Sequence, residues 1–288
     1  MKIIFKNNKL KIITLFLVLF LISSLAVMAK DYTGEGFKYY KQGALLYQEG
    51  NYEKAIEAWG KAVEIEPDVY LGYYSLGLGY SSIGQPDTAK KCYQKAIEVN
   101  PGFWRSYYNM GLLYRKSGEL DNAIKYYERA AELAPEVAEI LNNLGVAYKE
   151  KGNQDKSIKC YIKALEISPN DPDINYNLAL AYELNGNNEM AIKYYNIVIS
   201  RKSDDVKSLN NLGAIYKKEG SLSLAIEHYL AALKINDAIP ILHYNLGLAY
   251  SDKGEKTLAV AEFERYLKLN PDAKNAGEVK KLIEKLKD

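Results

Sequence analysis

The sequence has very little with which to do chemistry. It contains two cysteines and two histidines in 288 residues. There is no H-E-x-x-H, no C-x-x-C and no phosphate loop ending in Gly-Lys-Ser/Thr, so the common zinc, redox and nucleotide signatures are missing. Net charge is scarce too. Four of the 38 Lys and Arg residues, Lys2, Lys6, Lys9 and Lys11, lie in the first 29 residues, which hold no acid. The rest carries 34 bases and 36 acids. A body this close to neutral lacks the basic face that nucleic-acid binding requires. After the N-terminal apolar run, no second run of membrane-spanning length follows.

What the chain has in abundance is a period. Gly43, Gly77, Gly111, Gly145, Gly213 and Gly247 are spaced in multiples of 34 residues, with Ala179 in the one gap. Seven segments, 36–69, 70–103, 104–137, 138–171, 172–205, 206–239 and 240–273, align without slipping. Within each, slot 11 is Leu46 or a tyrosine, slot 15 is always glycine (Gly50 to Gly254), and slot 20 is alanine except for Ser157. Slot 24 is always aromatic, from Trp59 through Tyr161 to Phe263. Slot 32 is proline, except for Ser203 and Asp237. A repeat of this length predicts a helix-turn-helix unit. Slots 4, 7, 8 and 11 share one face of a first helix. The small residue at 8 lets a second helix approach closely, the alanine at 20 answers it, and the ring at 24 fills the space between. Glycine at 15 suits a left-handed cap, and proline at 32 stops the second helix.

These residues resemble the tetratricopeptide repeat family; Tyr107 to Pro135 matches its pattern at essentially every diagnostic slot. The resemblance implies an all-α fold: a right-handed superhelical solenoid of seven helix-turn-helix repeats over 36–271. The departures, Gln42, Ala179, Ser157 and the two missing prolines, do not shift the period. After Pro271 the pattern fails, yet Val279, Leu282, Ile283 and Leu286 still share a helical face. Residues 274–288 therefore read as a polar-backed capping helix, which a repeat stack needs for solubility. A chain of this length exceeds the usual single core, and a solenoid escapes that limit because each repeat touches only its neighbours.

The first 29 residues have the three parts of an export signal: positive to Lys11, apolar from Ile12 to Ile22, and small to Ala29. Cleavage before Lys30 leaves a 30–35 linker. The alternative is an uncleaved anchor formed by residues 12–29, about long enough to cross a bilayer. Cleavage is favoured because the apolar core is short and Ser23-Ser24 interrupts it. No cysteine follows the run, which argues against a lipid anchor. Both readings place the repeats on the far side of a membrane, periplasmic or secreted.

Cys92 and Cys160 both occupy slot 23, two repeats apart. Helix layers about 10 Å thick put them near 20 Å apart, too far for a disulfide or a shared zinc. His228 and His243 fall in packing slots. "GLGYSSIG", Gly77 to Gly84, mimics a nucleotide loop, but its end glycines are the repeat's own slots 8 and 15. No catalytic residue, metal or cofactor is expected.

Slots 2, 5, 6, 9, 12 and 13 point away from the core stripe, and in the tetratricopeptide family that face lines the concave groove. Slot 6 gives a ladder of Asn109, Asn143, Asn177, Asn211 and Asn245. An Asn amide offers a donor and an acceptor together, and repeats about 10 Å apart match three residues of an extended chain. The ladder resembles that of the repeat arm of O-linked N-acetylglucosamine transferases, whose catalytic domain has no counterpart here. Removing these side chains is expected to leave the fold nearly unchanged. Slot 5 adds Tyr108 and Tyr176, which serve either recognition or packing. Repeat three adds Arg105, Arg115 and Lys116. The chaperone-tail clamp of some family members requires Lys at slot 5 and Asn at slot 9, and no repeat has either. The expected function is an exported, non-catalytic scaffold that binds a protein or peptide segment, not nucleic acid, and meets a membrane only through its N-terminal segment. The alternatives are an anchored, self-associating structural protein and the regulatory part of an envelope enzyme complex. The oligomeric state stays open.

Overall fold

The computed structural model describes residues 34–287. The export signal, its cleavage site and the anchor alternative all lie outside those residues. Among the described residues there are fifteen helices and no strand. They are α1 (Glu35–Gln48), α2 (Tyr52–Ile65), α3 (Tyr70–Ser82), α4 (Pro86–Val99), α5 (Trp104–Lys116), α6 (Leu120–Leu133), α7 (Ala138–Glu150), α8 (Gln154–Ile167), α9 (Pro172–Leu184), α10 (Asn188–Arg201), α11 (Val206–Lys218), α12 (Leu222–Ile235), α13 (Pro240–Asp252), α14 (Lys256–Leu269) and α15 (Ala276–Lys287). No described helix is long and apolar enough to cross a membrane.

Each first helix stops where the sequence places its glycine. All seven slot-15 glycines have positive φ, between +75° and +84°. In that conformation the next amide reaches back five residues, as when Glu119 N–H donates to the Tyr114 carbonyl at 2.9 Å, the pattern of a Schellman cap. The residue after the glycine then opens the second helix. Asn153 and Asn187 do so with their side chains, which accept from the amides of Lys156 and Met190.

Each second helix ends at slot 30, with or without the slot-32 proline. Proline is therefore not the sole stop. Where Asp237 replaces it, Asn236 accepts from the Ala238 amide at 3.1 Å and closes the turn locally. Where Ser203 replaces it, Lys202 pairs with Asp205 at 3.0 Å. Asp205 in turn caps α11 by accepting from the Ser208 amide at 2.9 Å.

The core repeats with the same period. The atoms that meet a slot-8 glycine belong to the slot-24 ring: a Cβ added to Gly145 would lie 2.6 Å from Tyr161 Cε1, and one added to Gly247 2.8 Å from Phe263. These rings are almost fully buried, as are the slot-20 alanines. Repeat five carries the larger Ala179 opposite Tyr195. There the Tyr195 hydroxyl donates to Glu183 at 2.7 Å and accepts from Asn211 at 2.8 Å.

The described chain forms two compact units that meet in sequence between Ile140 and Leu141. In the first, α1, α3 and α5 pair with α2, α4 and α6, and α2 and α4 pack on the helix that follows each pair. In the second, α9, α11 and α13 pair with α10, α12 and α14, and α15 closes on α14. Val279 and Ile283 of α15 are buried in a cluster with Phe263 and Tyr266. Within each unit the first helices of neighbouring repeats also touch, α1 with α3 and α11 with α13.

Candidate binding face

The face of the first helices is where the sequence places the candidate residues. In the first unit, α1 and α3 give it an apolar and aromatic character. Phe37, Ala44, Tyr47 and Leu78 are half-buried on it, and the Tyr47 hydroxyl bonds to Ser82 across the repeat boundary at 2.9 Å. Slot 5 is split. Tyr40 and Tyr74 are core residues, only 1% and 5% exposed, and burial pushes both phenols up to about 12. Tyr108 is half-buried and donates to Glu139 at 2.6 Å. Burial, then the adjoining Glu139 carboxylate, raises its pKa far above the phenol range.

α5 brings three cations to this face. The Arg105 guanidinium lies 4.2 Å above the Trp104 ring, and partial burial lowers its pKa. Arg115 is half-buried and Lys116 exposed. Asn109 is half-buried beside them and donates to the Tyr74 hydroxyl at 3.3 Å.

In the second unit the slot-6 asparagines are likewise half-buried. Asn177 donates to Asn142 at 3.0 Å and Asn245 to Asn210 at 2.9 Å, each bond reaching slot 5 of the preceding repeat. Asn211 donates to Tyr195 and accepts from Asn210 at 3.3 Å. Asn143 occupies the same row. The Asn109, Asn177 and Asn245 amides therefore tie their helices to the preceding first helix, and Asn211 reaches the second helix α10, a role the repeat register did not disclose. The signal was present in slot 5, where Asn142 and Asn210 stand in place of the usual tyrosine one repeat before Asn177 and Asn245. Tyr176 faces Asp205, Lys202 and Lys207 across a cavity of about 290 Å³ that Pro172, Val198 and Val206 also line. Its phenol is raised by burial, with Asn211 opposing.

Elsewhere the chemistry-bearing side chains are packed. Cys92 is a free, half-buried thiol pushed up to about 11 by burial, and Cys160 is buried. Among the described residues no cluster of His, Cys, Asp and Glu could hold a metal ion. The His228 ring stacks on Tyr216 at 5.4 Å and 6°. His243 is buried between the Glu262 carboxylate (2.6 Å) and the Asp237 carbonyl (2.9 Å). It thereby ties α13 to α14 and to a turn that lacks its proline.

Family models described as "TPR repeat" match residues 43–84, 147–186 and 215–254. Models described as "Tetratricopeptide repeat" match 70–103, 104–137, 126–159, 172–205 and 241–273. The chain belongs to the tetratricopeptide repeat family. No curated protein matches it significantly. Solved tetratricopeptide structures share its fold. One is the C-terminal part of a repeat protein from Cytophaga hutchinsonii, 19% identical with a TM-score of 0.71 over 83% of this chain and 98% of that one. Another is YrrB, described as a tetratricopeptide protein with an unusual peptide-binding site, 23% identical with a TM-score of 0.57 over 67% of this chain and 99% of that one. MamA is 27% identical, with a TM-score of 0.53 over 57% of this chain and 96% of that one.

Proposed function

We propose that this tetratricopeptide chain is a non-catalytic scaffold, exported across a membrane, that binds an extended protein segment on its first-helix face. The observation that carries this reading is the make-up of that face. It combines half-buried aromatics (Phe37, Tyr47, Tyr108, Tyr176) with charged groups and with one slot-6 asparagine in each of repeats three to seven. Rigid aromatics with polar tips provide contact area at low entropic cost. YrrB, which shares the fold, is described as having a peptide-binding site, and this supports peptide recognition as a use of the architecture. Export rests on the tripartite leader.

A photo-crosslinking residue placed at Ser82 or Lys116, both exposed, should capture a protein partner in the native host. One placed at Glu57 or Lys91, exposed on second helices, should not. Capture only from the second helices would move the site. N-terminal sequencing from the native host should begin at Lys30; Met1 on membrane-bound protein would favour the anchor, and Met1 on cytoplasmic protein would reject export.

One observation supports a second reading. Leu224, Leu230, Ile235 and Leu258 on α12 and α14 are each more than 40% exposed, which suits self-association through the second helices. A monomer mass that does not change with concentration would remove it.

A further inference from the structure

We infer that the outer face of α12 docks on the same face of a second copy of this chain, the two helices antiparallel about a two-fold axis. This rests on self-association through the second helices, the second reading above, and adds the surface and the symmetry of the contact.

The order of side chains along α12 carries the inference. Leu224, Glu227, Leu230, Ala231 and Lys234 recur three or four residues apart and so share one stripe of the helix. Leu224 and Leu230 are 43% and 45% exposed, Glu227 and Lys234 are exposed, and Ala231 is half-buried. Slots 25 and 26, here Leu230 and Ala231, are both apolar in no other second helix of the repeats that carries side chains at both: Lys61, Gln94, Glu128, Lys163, Asn196 and Glu264 each interrupt their helix there. The outer face of α12 thus has an apolar centre with one charge of each sign on either side of it.

Those two charges are not neutralised within the chain. On other second helices the outward charges pair locally, Lys95 with Glu98 at 3.3 Å, Arg129 with Glu132 at 2.8 Å and Glu264 with Lys287 at 2.9 Å. Among the described residues neither Glu227 nor Lys234 has an ion pair. They lie seven residues apart, about 10 Å along the axis, too far to pair with each other. Glu227 acts on the adjacent His228, but burial holds that ring below its usual pKa and therefore uncharged at neutral pH.

An antiparallel contact centred between Leu230 and Ala231 satisfies both the apolar centre and its flanking charges. Each residue before the centre then faces the one equally far beyond it in the other copy. Leu230 of each copy lies on Ala231 of the other, where the small side chain lets the helices approach closely. Glu227 of each copy meets Lys234 of the other, so the contact closes with two ion pairs, as a self-complementary two-fold interface requires. A parallel contact would set like charges against each other. Leu224 and Ile235 extend the apolar part toward the helix ends, and Leu258 of α14 extends it sideways. α12 has 14 residues and is about 21 Å long at 1.5 Å per residue. A patch of that length and little more than one helix wide falls short of the roughly 800 Å² per partner of a standard stable interface, so the dimer is a weak one, in exchange with its monomer.

Charge reversal tests the contact. Sedimentation velocity of the protein as purified from its native host should show monomer at low micromolar and dimer at submillimolar concentration. Glu227→Lys alone and Lys234→Glu alone should each weaken association about tenfold or more, because like charges then face each other across the two-fold axis. The double variant should return to within about threefold of the unaltered chain. An equimolar mixture of the two single variants should also associate, since each supplies the sign that the other lacks. Lys95→Glu on α4 should change nothing. All three sites are exposed, and melting curves at low concentration check that each variant folds. A chain that stays monomeric throughout overturns the inference and the self-association reading together. Association that ignores the reversals, or that the double variant fails to restore, overturns the α12 contact and leaves self-association to another surface.

Discussion

Single side chains already decide much of this molecule. Gly145 lies under the Tyr161 ring with no room for a Cβ at 2.6 Å. Gly145→Leu should therefore lower stability by about 1–3 kcal/mol or more, while Lys218→Ala, at an exposed site, should stay within about 0.5 kcal/mol. Paired melting curves test this, and equal shifts would contradict the packing described. Gly145→Ala should fall between them, because Ala179 sits naturally opposite Tyr195 with that ring bonded to Glu183 and Asn211. His228 provides a pH test. Burial holds its pKa below the usual value, outweighing nearby Glu227. The unfolded chain therefore takes up its proton first as pH falls below about 6.5, and stability is lost from there down through the folded value. His228→Tyr matches the Tyr126 and Tyr194 of the same slot and keeps the stack on Tyr216. It should flatten that part of the stability profile, measured by urea unfolding at a series of pH values. An unchanged slope would assign the dependence to another group.

At the scale of the helices, the main result is that the asparagine row acts as a set of clamps. Asn177 bonds to Asn142 and Asn245 to Asn210, first helix to first helix. Asn177→Ala should lower stability by about 0.5–1.5 kcal/mol. The loss should shrink when Asn142 is already alanine, which a double-mutant cycle measures. No coupling would mean that the amide contributes little to the fold and is available to a ligand. Helix starts and stops were legible because they rest on local chemistry: a left-handed glycine and the amide bond reaching back five residues follow from sequence alone. The clamps were not legible in the same way. They depend on which slot of one helix lies beside which slot of the next, and the period does not state that offset. The slot-32 proline proved dispensable where the sequence lacks it. α10 and α12 end at slot 30 without it, because Asp205 with Lys202, and Asn236, close those turns.

For the molecule as a whole, the capping helix has a testable consequence. Val279 and Ile283 of α15 cover Phe263 and Tyr266, and Tyr266 bonds to Asn275 at 2.6 Å. Truncation after Asn270 should expose that apolar surface and produce concentration-dependent association in sedimentation, with helix content elsewhere kept. A truncated chain that stays monomeric would show that α14 needs no cover. This helix was foreseeable from the spacing of its apolar residues. The pairing of charges between neighbouring first helices was foreseeable only in part. The band at Lys207, Lys217 and Lys218 can be read from the sequence, but Asp252 lies against Lys217 only once the repeats are folded.

The placement of two indoles has a further consequence. The chain's two tryptophans, Trp59 and Trp104, both belong to the N-terminal unit, one buried under Gly43 and the other stacked beneath Arg105. The C-terminal unit has none and is rich in tyrosine. Selective indole emission therefore reports the unravelling of one half of the chain, while far-ultraviolet dichroism reports both. Superimposable denaturation profiles would mark one cooperative transition; an offset between them would show how the two halves divide the energy of folding, with no label added.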